Sequence, residues 1–142
     1  MAKLGVELVP VTCWYSNVRS GLPTKEWDRL RKLSYAEADY KCEICGGKGT
    51  KHPVECHEIF EYDDENKVQT LRGLVALCPK CHRVKHIGKA QIDGLYGEAR
   101  QHLADVNGWS IAKAEKYVIQ QFEVWQKRSM YQWKLDLGWL KG

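Results

Sequence analysis

The sequence predicts an α+β fold, on three observations. Trp133, Leu135, Leu137 and Trp139 alternate with Lys134, Asp136 and Gly138 at the period of a strand, and Val6 to Val11 is a short apolar strand candidate. Ile111, Ala114 or Glu115, Val118, Phe122 and Trp125 recur at the period of a helix. Between these segments, four of the six cysteines stand in two Cys-x-x-Cys pairs, Cys42/Cys45 and Cys78/Cys81.

At 142 residues the chain is expected to form a single domain, with three segments that differ in composition: 1–40, 41–90 and 91–142. An apolar fraction of 44% with 28% charged residues is a globular balance, neither disordered nor fibrous. The net charge of +4 is too small to announce a nucleic-acid binder by itself. No apolar run approaches the roughly 20 residues of a membrane span, and the first seven residues lack the apolar stretch of an export signal. No membrane partner and a reducing, cytoplasmic compartment are therefore expected.

In the first segment, the strand candidate leads into a loop, Cys13 to Gly21, and then into a helix that starts at Pro23-Thr24. Thr24 reads as the N-cap, Glu26 and Asp28 suit the positive first turn, and Trp27, Leu30 and Leu33 or Ser34 form one apolar face. Trp14 and Tyr15 beside Arg19 offer a base-stacking surface as an alternative to packing; the periodic placement of the six tryptophans otherwise argues for the core. The third segment reads as two helices broken at Asn107-Gly108, the second capped by Ser110, and a short extended end.

The middle segment carries the chemistry. Two Cys-x-x-Cys pairs suit tetrahedral zinc, because a two-residue gap lets both sulfurs turn toward one ion. Redox pairs or free thiols are the alternatives, but no strand–helix context of the thioredoxin type surrounds either pair. Cys13 and Cys56 read as buried free thiols. Thirty-two residues lie between the pairs, longer than a compact zinc ribbon allows. That insert holds His57 after a strand-like approach, Val54-Glu55-Cys56, and His82 follows the last cysteine at the start of a helix candidate. His86 stands four residues on, so His82 and His86 share a helix face. Such a pair with a third histidine from a strand is a recurrent way to hold one divalent ion with an open position.

Charge is divided across the same segment. Residues 55–65 hold six acids (Glu55, Glu58, Glu61, Asp63, Asp64, Glu65) and no Lys or Arg. Residues 66–90 hold six bases (Lys67, Arg72, Lys80, Arg83, Lys85, Lys89) and no acid. The bases surround His82 and His86, where a phosphate would sit, so Lys80, Arg83, Lys85 and Lys89 are the candidate nucleic-acid contacts. The acidic run reads as a solvated loop turned away, or else as the source of a carboxylate for a metal shell.

Cys42-Glu43-Ile44-Cys45, Glu55-Cys56-His57-Glu58-Ile59 and Leu77-Cys78-Pro79-Lys80-Cys81-His82 together resemble the HNH endonucleases. The resemblance covers about residues 41–90. It implies a central ββα-metal module stapled by a four-cysteine zinc site, flanked by the N-terminal helix and the C-terminal helices. It implies hydrolysis of DNA phosphodiester bonds with a catalytic Mg²⁺, Mn²⁺, Ni²⁺ or Zn²⁺ held by His57, His82 and His86, apart from the structural Zn²⁺ on Cys42, Cys45, Cys78 and Cys81. Glu58 falls where the family has its general base, normally a second histidine, and Gly73 falls where it has an asparagine. A carboxylate with a reference pKa near 4.3 is a weaker base than imidazole. Two further classes stay open: a zinc-stabilised nucleic-acid-binding or adaptor module without cleavage, and a subunit whose C-terminal helices, residues 93–128, dock a protein partner.

Overall fold

The computed structural model describes residues 3–14 and 22–141, so Tyr15 and Arg19 of the expected stacking surface lie outside the described residues. The architecture is α+β: a three-stranded sheet and five α-helices, among the described residues.

A long hairpin is the scaffold. Strand β1, Glu55–Asp63, pairs antiparallel with β2, Val68–Leu77. Asp63 makes the turn between them, its Oδ1 accepting from the backbone N–H groups of Glu65 and Asn66 at 3.1 and 3.0 Å, as an aspartate at the start of a turn does. Along the hairpin Ile59 faces Gly73, but Phe60 faces Leu71. Arg72 is thus an extra residue in β2, and the bulge re-aims the side chains on either side of it. A third strand, β3, Lys134–Asp136, adds parallel to β2 at Val68–Thr70. The strand expected over Trp133–Trp139 is therefore shorter. The Asp136 carboxylate accepts from the Gly138 N–H at 2.9 Å and turns the chain into a 3₁₀ helix, Gly138–Lys141.

Helix α1, Thr24–Glu37, covers one face of the sheet with Trp27, which packs with Leu71, Cys56, Phe60 and Leu74. Its cap is Pro23, with no side-chain cap bond; Thr24 is the first helical residue rather than the N-cap. The fixed φ of Pro23 suits a chain entering a helix, so the hydroxyl is not needed there. Helices α2 (Pro79–Lys85), α3 (Ile87–Ile92), α4 (Tyr96–Asn107) and α5 (Ile111–Arg128) enclose the larger core of Leu77, Val84, Ile87, Leu103, Ala114 and Val118. Gly108, at φ +67°, ends α4 in the left-handed cap expected at Asn107-Gly108, and Ser110 caps α5 by accepting from the Lys113 N–H at 3.1 Å.

The expected strand at Val6–Val11 does not form. Residues 5–10 have no regular structure, and Val11–Cys13 is a 3₁₀ turn. The reason is the lack of a neighbouring sheet edge: this segment lies on helices, and its backbone bonds go elsewhere. Asn107 Oδ1 accepts from the Lys3 and Leu4 N–H groups, Asn107 Nδ2 donates to the Leu4 carbonyl, the Val6 N–H donates to the Tyr117 hydroxyl, and the Glu7 N–H donates to the Lys85 carbonyl. Of the tryptophans expected in the core, only Trp27 is fully buried; Trp109, Trp125 and Trp133 are half-buried, and Trp14 and Trp139 are exposed. No described helix is long and apolar enough to cross a membrane.

Candidate metal centres

The four paired cysteines meet. Cys42 and Cys45 sit on a turn closed by Gly46, at φ +77°, whose N–H donates to the Cys42 carbonyl. A left-handed conformation is what the chain needs to bring two sulfurs three residues apart to one side, and glycine adopts it without cost. Cys78 and Cys81 stand at the start of α2, where Cys78 is the N-cap and Pro79 fills the first position. The Sγ atoms of Cys42, Cys45, Cys78 and Cys81 all lie within 4.8 Å of one another. Those of Cys45 and Cys78 are 3.6 Å apart. A tetrahedron with Zn–S bonds of about 2.3 Å has edges of about 3.8 Å, so the set fits one zinc ion.

Backbone N–H groups already point at the sulfurs: Cys45 to Cys42, Gly47 to Cys45 and Cys81 to Cys78, at 3.4–3.5 Å. Burial opposes ionisation of Cys42, but the backbone groups of Cys45, Cys78 and Ile44 and the Cys45 side chain outweigh it and bring the thiol down to about 7. At Cys78 and Cys81, burial, joined by the Cys42 charge, holds the thiols up. Four converging sulfurs that cannot all ionise alone are a set completed by a cation. Nothing in the sequence pattern pointed to His102, on α4, whose Nε2 is 3.1 Å from Cys81 Sγ.

About the second cluster the structure is equally specific. His57 comes from β1, His82 from α2 and His86 from the junction of α2 and α3. His86 is not on a continuous helix with His82, since at φ −102° and ψ 48° it breaks α2 from α3; its N–H still donates to the His82 carbonyl, so the two rings stay one turn apart. The three rings lie with centroids 4.8–5.3 Å apart, and one nitrogen of each falls within 4.8 Å of the others. His57 is 6% exposed, His82 is half-buried and His86 reaches the surface.

Two carboxylates orient these rings. His57 Nε2 donates to Glu7 Oε2 at 2.7 Å, and His82 Nδ1 donates to Glu55 Oε1 at 2.9 Å. Because a carboxylate only accepts, each bond fixes a ring proton on the nitrogen that faces it, so His57 Nδ1 and His82 Nε2 are the nitrogens left to take a metal. A histidine backed by a carboxylate is the usual arrangement behind a metal ligand. Burial opposes the charge on Glu7, but the His57 bond, the His57 charge and Lys85 at 3.4 Å hold its carboxyl below the usual range. Glu55 is held down in the same way by His52 and His82, against burial. Burial and the neighbouring His57 lower His82, and the same crowding brings His86 to about 4 although an edge of it meets solvent. Both rings are therefore neutral at pH 7, the form that binds a metal.

Glu58 follows His57 on β1 and lines the same cavity of ≈ 180 Å³, together with Glu7, His57, His82 and His86. Trp27, Cys56 and His82 of that cavity also line a neighbouring cleft of ≈ 640 Å³ that reaches Arg31, Tyr35 and His52. Cys56, expected to be buried, is half-buried, packing beside Trp27 while also lining the cleft; Cys13 is buried as expected. Gly73 lies on β2 opposite Ile59. Among the basic candidates, Lys80 is exposed, Arg83 and Lys89 pair with Glu98 and Asp93, and Lys85 is drawn inward to Glu7. The acidic run divides: Glu55 and Glu58 belong to the site, whereas Glu61 pairs with Arg72, and Asp64 pairs with Arg128. Glu7 carries no sequence signal, being 50 residues from His57 in an ordinary apolar segment.

No protein family, curated protein or solved structure matches this chain.

Proposed function

We propose that the chain is a metal-dependent phosphodiesterase of the HNH type acting on DNA, with a separate structural zinc on the four cysteines. The observation that carries this reading is the convergence of three histidine nitrogens, with two of the rings fixed by carboxylates, on the wall of a cleft. The hairpin followed directly by α2, with a cysteine cluster tying the two, supports the ββα-metal arrangement that the sequence resembles.

In this reading His57, His82 and His86 hold the ion, and Glu7 and Glu55 keep the first two rings turned toward it. A bound divalent ion lowers the pKa of a water ligand and offsets charge building on the phosphate. Glu58 takes the proton from the attacking water. Lys80, Arg83 and Lys89 position backbone phosphates along α2 and α3, while Lys85 balances Glu7.

Supercoiled plasmid tests it. With Mg²⁺, Mn²⁺, Ni²⁺ or Zn²⁺ added in turn, the protein is expected to nick DNA in a metal-dependent way, and His82→Ala and Glu58→Ala should each lower the rate at least about a hundredfold. Retained DNA binding with no nicking under any metal would replace this reading with that of a binding module.

A further inference from the structure

Glu7, Val9 and His86 of the histidine cavity also line a second cavity, of ≈ 530 Å³. This one is lined by Leu8, Trp14, Gly88, Ile92, Phe122 and Trp125, with the exposed Lys89 at its rim. The two indoles are held by one atom: Trp14 Nε1 and Trp125 Nε1 both donate to the Val9 carbonyl, at 2.8 and 3.0 Å. With both N–H groups used, what the rings offer a ligand is their apolar faces. Trp14 is 59% and Ile92 88% exposed, an unusual amount of apolar surface to leave in water beside a polar centre.

We propose that this cavity is a nucleobase subsite that takes an unpaired base of a single-stranded segment. The proposal rests on the phosphodiesterase reading of the histidine centre, because that centre sets what lies next door. A phosphate at His86 has its own nucleoside within one residue, and the aromatic cavity shares His86 and Glu7 with the phosphate site. A planar, weakly polar group with π faces is what two fixed indoles and a phenyl ring bind best, and stacking on aromatic side chains tolerates any base. Lys89 at the rim, although paired with Asp93, supplies positive charge on the path of the next phosphate. A base stacked in a duplex cannot enter, so the subsite selects single-stranded over double-stranded DNA.

Fluorescence anisotropy with a short labelled single strand, and with the duplex of the same sequence, tests this on the intact protein without added divalent ion. Trp14→Ala removes one wall from an exposed position and should weaken single-strand binding about tenfold, with Trp14→Phe restoring most of it and duplex binding unchanged. Gly88→Leu approaches from the other direction. A Cβ there meets only Leu8 at 3.7 Å and Phe122 at 4.0 Å, so the helix accepts it while the longer side chain fills the cavity. It should weaken single-strand binding to a similar degree. Unchanged single-strand binding in both variants overturns the proposal, as does an equal loss for duplex and single strand. Because binding is read apart from cleavage, a protein that nicks no plasmid yet shows the Trp14 effect keeps the subsite and loses the phosphodiesterase reading. One that nicks plasmid and binds single strands equally well in every variant keeps the enzyme and loses the subsite.

Discussion

His57 must present one nitrogen to the cleft and occupy the other, and the residue that occupies it is Glu7. Replacing Glu7 or Glu55 by glutamine preserves size but offers the imidazole an amide that can also donate, so the tautomer is no longer fixed. Each substitution is expected to lower the affinity of the histidine centre for Mn²⁺ or Zn²⁺ by about 10- to 100-fold in calorimetric titration, with the cysteine-bound zinc untouched. Unaltered affinity in both would show that the carboxylates do not orient the rings. Acid should act on the same cluster. The pKa of His86 falls from 6.5 to about 4 on folding, so between those values the unfolded chain binds a proton that the folded chain does not. Stability is therefore complete above about 6.5 and declines as the pH drops toward 4. The urea midpoint should follow that course in the parent protein and decline less in His86→Gln; equal slopes would remove His86 as the cause.

At the scale of elements, the N-terminal segment matters most because it delivers Glu7. It is held by Asn107, whose side chain makes bonds to Lys3, Leu4 and Leu103 at the end of α4. Asn107→Ala should cost about 1–3 kcal/mol in chemical unfolding, since it strands the partly buried groups of Leu4. It should also weaken the histidine centre as Glu7→Gln does, because the anchor of the segment is gone; a loss of stability with unchanged metal affinity would separate the two roles. Much of the element pattern was legible. The stripe from Ile111 to Trp125, the Ser110 cap and the break at Gly108 declare α4 and α5 through local rules, and Cys-x-x-Cys spacing declares the sulfur cluster. What stayed hidden depends on contacts distant in the chain. Val6–Val11 has the composition of a strand and lacks only a partner edge. Glu7 and His102 acquire their roles by meeting residues 50 and 21 positions away, which no periodicity encodes. Glu55 reads from the sequence as part of the strand before His57 and as one acid in a run, and only the hairpin sets it beside His82.

For the molecule as a whole, the cysteine cluster joins the turn at 42–47 to the start of α2, and α2 carries His82. The fold around His82 thus depends on the cysteine cluster. Stripping the cysteine-bound metal with a strong chelator should lower the melting temperature by about 10 °C or more, as expected for removing a structural zinc whose binding is coupled to folding, and should abolish metal uptake at the histidines. The His82 side chain does not tie the two cysteine pairs together, so His82→Ala should keep one equivalent of zinc by elemental analysis and melt within a few degrees of the parent. Cys78→Ser should behave like the chelated protein. Two equivalents retained by His82→Ala would place the second ion elsewhere.

The turn that carries Cys42 and Cys45 does one more thing. Its Glu43 N–H donates to the Ala76 carbonyl, and the Ala76 N–H donates to the Glu43 carboxylate at 2.6 Å, while at the other end of β2 the short β3 occupies Val68–Thr70. Between them these two contacts cover both ends of the outer rim of β2, whose middle is marked by the Arg72 bulge. An unpaired rim of a sheet is a template on which a second chain can add. If the four cysteines hold zinc as proposed, protein stripped of it should release Glu43, bare the Ala76 end of that rim and self-associate into β-rich aggregates, so that such an ion would guard solubility as well as shape.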